Sequence, residues 1–172
     1  MEISEDHWEL IQSDDLLMAD IRSWWQWRNQ DKFELVSSFT TLFRKFPEFR
    51  SVVDFRFRKR GLTERVLNKM PRANDLNIGV MDVGPGFRVQ HGHSTWVLAA
   101  KIGDNFHVNQ NVTIGVSKGG MPAIGNNVRI LTGAVVLGGV TIGDNVVIAP
   151  NAFVNFDVPA GKKVFPARSI IV

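Results

Sequence analysis

Isoleucine and valine return every six residues through the second half of the chain, at Ile102, Val108 and Ile114, then at Ile124, Ile130, Val136, Ile142, Ile148 and Val154. A second apolar column follows four places behind, through Phe106, Val112, Val128, Ala134, Val140, Val146, Ala152 and Val158. Glycine often follows the first column, as at Gly103, Gly125 and Gly143. Helices repeat at about 3.6 residues and strands at about 2, so neither explains a period of six. A coil with short flat sides does, because each repeat returns the same residue type to the same corner. The period breaks twice. Ile114 to Ile124 is ten residues rather than six, and the inserted loop, GVSKGGMPA, is rich in glycine. The stretch Gln90 to Ala100 also departs from it, after irregular coils marked by Val83-Gly84 and Val89. Repeat proteins tend to collect such departures on their functional face.

The pattern before residue 71 is different. Charged and aromatic residues dominate, and apolar positions recur at helical spacing. Asp14 and Asp15 predict a helix start, with the helix running through Ile21, Trp24, Trp25 and Arg28. Phe33 to Phe46 reads as a second helix, which Pro47 ends or follows with the next. A third runs from Glu48 to Gly61, burying Phe49, Val52, Val53 and Phe57, with Arg56, Arg58, Lys59 and Arg60 solvated. A short fourth helix is expected over Thr63–Lys69, and the tail GKKVFPARSIIV reads as a closing strand. The expected organisation is a helical region at 1–70 and a solenoid at 71–172.

Composition narrows the partners. The chain has 172 residues and no cysteine, so neither disulfides nor thiolate metal sites hold it together. That suits a reducing cytoplasm. The opening MEISEDHWELIQ is acidic and amphipathic, unlike a signal peptide, and no apolar run approaches a membrane span. A net charge of +3 suits an anionic cofactor but is too small to argue for nucleic acid.

The motifs VGPGFRVQHGHS and AKIGDNFHVNQNVTIG, the glycine-rich loop and the closing FPARSIIV resemble the hexapeptide acyltransferases, within them the serine acetyltransferase subfamily. ADIR at Ala19–Arg22 and the Phe/Arg-rich helix before Gly61 echo the helical domain of those enzymes. The resemblance implies a left-handed parallel β-helix, a homotrimer with active sites between neighbours, and acetyl-CoA as co-substrate with no metal. It also implies His91 as general base, a task imidazole suits because it titrates near neutrality. His93 shares a strand face with His91 if that segment is extended, so it is a candidate to assist; His7 and His107 read as structural or surface. Asp75 or Asp82 is the candidate carboxylate partner of His91. Gly115, Thr132 and Pro150 align with the cofactor groove, and Lys118, Lys162, Lys163 and Arg168 are candidates for the cofactor phosphates. The Gly115 N–H is the candidate oxyanion donor. With no cysteine and no Ser–His–Asp constellation, direct transfer is expected.

Three positions depart from the serine enzymes. Gln90 stands where they have aspartate before the histidine. Met121 stands where they have a second histidine. The aspartate of their helical domain falls near Arg28. These departures turn the expected acceptor from L-serine to a sugar hydroxyl, as in shorter relatives that acetylate colanic acid, capsule or exopolysaccharide. Gln90 and Trp96 are then candidate acceptor contacts, the tryptophan by stacking on a sugar ring. The alternatives are serine acetylation for cysteine biosynthesis, a zinc hydratase of the β-helical carbonic anhydrase type using His91, His93 and His107, and a non-catalytic trimeric scaffold.

Overall fold

The computed structural model describes residues 5–28, 32–61, 71–80 and 82–167. The helix expected over Thr63–Lys69 and the candidate Arg168 lie outside the described residues.

Among the described residues four helices precede the solenoid: α1 (Glu5–Gln12), α2 (Asp15–Arg28), α3 (Leu35–Lys45) and α4 (Pro47–Lys59). Asp14 caps α2, its Oδ1 accepting from the Leu17 N–H at 2.9 Å. Glu34 caps α3 through the Ser37 N–H. Pro47 opens α4 at its first position, where a missing N–H costs nothing. The helices close over Trp24, Phe39, Phe43 and Phe49, all fully buried. Trp24 also donates its indole N–H to the Phe87 carbonyl at 2.8 Å, joining α2 to the first coils.

One correction to the sequence reading concerns α4. Arg56 is not solvated with Arg58, Lys59 and Arg60; it is 4 % exposed. Its Nε donates to Asp20 at 2.8 Å, and its Nη atoms donate to the carbonyls of Val83 and Gly84 at 2.7 and 2.6 Å. Asp20 also accepts from the N–H groups of Gly86 and Phe87, both at 2.8 Å. Burial pushes the Asp20 carboxyl up, while the Arg56 guanidinium and the two N–H groups pull it back. This buried pair fastens the helices to the VGPG corner.

The solenoid has three sides, each a parallel sheet. Sheet A stacks β1 (Leu76–Ile78), β3 (Thr95–Val97), β6 (Thr113–Gly115), β9 (Val135–Leu137) and β12 (Phe153–Val154). Sheet B stacks β4 (Lys101–Ile102), β7 (Ala123–Ile124) and β10 (Thr141–Ile142). Sheet C stacks β2 (Arg88–Gln90), β5 (His107–Asn109), β8 (Arg129–Ile130), β11 (Val147–Ile148) and β13 (Lys163–Val164). The six-residue column thus resolves into three internal stacks. Ile102, Ile124 and Ile142 lie on B; Val108, Ile130 and Ile148 on C; Ile114, Val136 and Val154 on A. All nine are at most 3 % exposed.

A regular coil is 18 residues, as from Ile124 to Ile142. The coil from Ile102 to Ile124 is 22, so the four extra residues predicted from the broken period leave the stacking untouched. Corners are turned by left-handed residues. Asn105, Asn127 and Asn145 hold φ of 56, 55 and 59°, and Asn105 donates its amide to the Asn127 side chain. Asparagine tolerates this conformation better than other non-glycine residues. Gly125 is needed for a different reason: a Cβ there would stand 2.9 Å from the Asp144 backbone nitrogen, which cannot yield without breaking the coil.

Candidate functional site

The first break in the period is a swollen corner between sheets C and A. Gln90 pairs with Asn109, and Trp96 with Thr113. Five residues therefore cross this corner, 91–95, where the next coil uses three, 110–112. His91, Gly92 and Ser94 all have positive φ, at 66, 53 and 49°. A non-glycine residue there is strained, and such strain gathers at functional positions. The expectation that His91 and His93 share a strand face does not hold, because these turns break the strand between them. Both histidines are exposed. His93 anchors the corner through its carbonyl, which accepts from Asn111 at 2.7 Å and from the Thr95 hydroxyl at 3.0 Å.

Gly92 is held against the helices. A Cβ on it would stand 3.1 Å from the Cγ of Glu48, so the buried second residue of α4 borders the His91 corner. Sequence reasoning missed Glu48. Its only signal was a place in the first turn of a helix, where acidic residues are common.

The two candidate carboxylates part company. The Asp75 carbonyl accepts from the Thr95 N–H at 2.9 Å, so Asp75 lies one coil above the His91 corner. The Asp82 carbonyl accepts from Ile102 on sheet B, and Asp82 borders a groove with Lys101, Asp104 and Asp144, away from that corner.

Thr132 and Pro150 lie on the same edge as His91, in successive coils; the Asn151 N–H donates to the Thr132 carbonyl. Gly115, Lys118 and Met121 sit at the other end of the sheet A strands. Gly115 ends β6 and is buried, and the loop beyond it is exposed. Ser117 and Gly120 exchange backbone hydrogen bonds at 3.2 and 3.1 Å, and Gly139 donates to the Lys118 carbonyl at 3.4 Å. A Cβ at Gly139 would overlap the Gly119 carbonyl, so glycine lets the loop lie on the next coil. Lys162 and Lys163 are exposed at the far end of sheet C. Within one chain the candidate residues therefore occupy separate edges.

His107 is buried on sheet C. Its Nε2 lies 2.9 Å from the Asn109 side-chain oxygen, and the Trp27 ring stands edge-on at 5.2 Å. Burial, then the positive charge of Arg88, lowers its pKa from 6.5 to about 4, with Arg129 and Arg28 adding to the shift. His107 thus folds neutral. The unfolded chain binds a proton that the folded chain refuses between about pH 6.5 and 4, so stability present above pH 6.5 is lost as pH falls through that window. The expected loss is roughly 3 kcal/mol by the free energy of a pKa shift of this size. Urea denaturation at pH 7 and pH 4.5 measures it, and His107→Gln should flatten the difference; an equal slope in both proteins would refute the assignment. His107 is buried on sheet C, whereas His91 and His93 are exposed at the swollen corner. Among the described residues no three His, Asp or Glu side chains are grouped to hold a metal ion.

Residues 122–155 match the family described as bacterial transferase hexapeptide, six repeats. Two serine acetyltransferases of Helicobacter pylori are similar in sequence. That of strain J99 is 34 % identical over 97 residues, covering 51 % of this chain and 54 % of the relative. That of strain 26695 is 36 % identical over 89 residues, covering 46 % and 49 %. The chain therefore spans about half the length of the curated relatives it matches. The fold is also that of solved serine acetyltransferases. The Neisseria gonorrhoeae enzyme in complex with serine superposes with a TM-score of 0.66 at 22 % identity, covering 95 % of this chain and 72 % of that one. Isoform 3 of Entamoeba histolytica in complex with cysteine gives 0.65 at 23 %, covering 95 % and 62 %.

These relatives overturn the sugar acceptor, and with it a role in polysaccharide biosynthesis. The inference from Gln90, Met121 and Arg28 takes groups missing at three motif positions to be missing from the site. Glu48 at the His91 corner shows that the helices bring charge there from elsewhere. Residues 122–155 thus carry the bacterial transferase hexapeptide repeat, and the relatives that the chain resembles in sequence are serine acetyltransferases.

Proposed function

We propose that this chain transfers an acetyl group from acetyl-CoA to the hydroxyl of L-serine. The observation that carries the acceptor is the sequence likeness to two serine acetyltransferases. The swollen corner supports the chemistry, because it holds His91 exposed in a strained turn at the edge of sheet A. In this reading His91 takes the hydroxyl proton as the serine oxygen attacks the thioester carbonyl. The Gly115 N–H faces Val136 in the sheet A ladder, so the tetrahedral oxyanion takes its hydrogen bonds from the exposed glycine-rich loop just beyond it. Collapse breaks the carbon–sulfur bond, and the departing thiolate takes the proton back from His91. Of the two candidate carboxylates Asp75, rather than Asp82, lies beside this corner and orients the imidazole, and His93 borders the acceptor. Acetyl-CoA lies along Thr132 and Pro150, with Lys118, Lys162, Lys163 and Arg168 available to its phosphates.

The reading includes a homotrimer. The outer face of sheet A is an apolar ladder of Trp96, Thr113, Val135 and Phe153, with Trp96 and Phe153 50 % and 56 % exposed. Exposed apolar surface of this kind suits a partner. The two period breaks flank sheet A at opposite ends of its strands, so a neighbour packed there brings its glycine-rich loop toward the His91 corner. Trp96 then serves the interface rather than a sugar ring. A cytoplasmic reaction belongs to the same reading; among the described residues no helix is long and apolar enough to cross a membrane.

Thiol release from acetyl-CoA tests the proposal directly. L-Serine is expected to drive turnover and O-acetylserine is expected by mass. Turnover with other hydroxyl compounds and none with L-serine would overturn it.

A further inference from the structure

Where α2 and α4 meet sheet C, positive charge is gathered with little to balance it. On sheet C, Arg88, His107 and Arg129 stack in one outward column. Arg28, at the end of α2, lies over the Trp27 ring at 3.9 Å and the Phe46 ring at 4.5 Å. Trp27 in turn stands against His107. The Nε atoms of Arg28 and Arg88 are both buried with no hydrogen-bond partner among the described residues. Arg50, nearby on α4, behaves differently: its guanidinium is taken up by the carbonyls of Pro71, Phe43 and Arg44. Glu48 is the acid that acts on Arg28, whereas Arg88 feels the like charge of Arg129.

Buried donors without partners are costly, and guanidinium groups left over in a cleft favour an anion with two oxygens. Arg88 is three residues before His91 on the strand that leads into the swollen corner, and Glu48 borders that corner at Gly92 while its charge acts on Arg28.

We propose that Arg88, with Arg28, binds a carboxylate at this seam, and that the carboxylate is the acceptor's own. The ligand's identity rests on the L-serine reading; the anion site does not. His107, kept neutral by its surroundings, fills the floor between Arg88 and Arg129 without adding a charge. The cation–π seat of Arg28 on Trp27 and Phe46 holds its guanidinium without using the Nε–H.

Thermal shift and turnover on the full chain, for wild type, Arg88→Gln and the exposed control Lys45→Gln, separate the possibilities. Stabilisation by millimolar L-serine and by glycolate, but not by L-serinamide, is expected in wild type and control and lost in Arg88→Gln. KM for L-serine should rise at least tenfold in Arg88→Gln while KM for acetyl-CoA stays within twofold. Stabilisation by glycolate without turnover of L-serine would keep the anion site and remove the serine reading. An unchanged KM for L-serine in a folded Arg88→Gln would overturn the site and leave the serine reading standing.

Discussion

His91→Asn is expected to lower kcat for acetyl transfer by roughly 10²- to 10⁴-fold, the range for loss of a positioned general base. The substitution suits the backbone. At φ 66° an alanine would add its own strain, whereas asparagine tolerates the left-handed region. Because His91 is exposed and its ring supports no buried packing, melting temperature should stay within about 2 °C, as for surface substitutions generally. The loss should therefore appear in turnover with little change in KM for acetyl-CoA. Retention of more than a tenth of the activity would remove His91 as the base. His93→Asn in parallel separates the neighbours: with its backbone anchor kept, it should cost far less.

Arg56→Met carries the largest expected effect on stability, about 3–5 kcal/mol, the cost of breaking a buried pair from one side. The fully buried Asp20 would keep only the Gly86 and Phe87 N–H groups, and the carbonyls of Val83 and Gly84 would lose their donors. For a chain of this length that corresponds to a fall in melting temperature of order 10 °C. The double variant Asp20→Leu with Arg56→Met should be less destabilised than the two single changes together, since it removes both charges. Urea denaturation of the four proteins measures the coupling. A single-variant loss below about 1 kcal/mol would mean the pair does not hold the helices to the solenoid.

The acceptor was the principal failure of sequence reasoning, and the reason is instructive. Gln90, Met121 and Arg28 depart from the motif only when each position is taken by itself. A charged site can be assembled from other positions, and Glu48, Arg28 and Arg88 come from α4, α2 and β2. Arg56 failed for a related reason. Its neighbours Arg58, Lys59 and Arg60 are exposed, and nothing in the local pattern separates it from them. Its partner Asp20 is 36 residues away, and the amides that complete the cluster are a further 30 or so along the chain.

The repeat, by contrast, could be read without any tertiary information. Each coil meets the coil before it through residues at a constant offset, so the same stacking requirement is written again every six positions. Ile102 to Val154 therefore announced the three internal stacks, and the ten-residue step from Ile114 to Ile124 announced the loop and its size. The swollen corner was also announced, as a stretch without the period. How that corner turns was not: the left-handed backbone at His91 and the contact of Gly92 with Glu48 depend on a helix that no periodicity ties to the coil. Thus the sequence by itself determined the solenoid, its buried columns and the locations of its two breaks, because these arise from contacts that recur along the chain. Only the tertiary structure decided which charges gather at the helix–solenoid seam, because each of those contacts occurs once, between segments whose separation in sequence carries no signal.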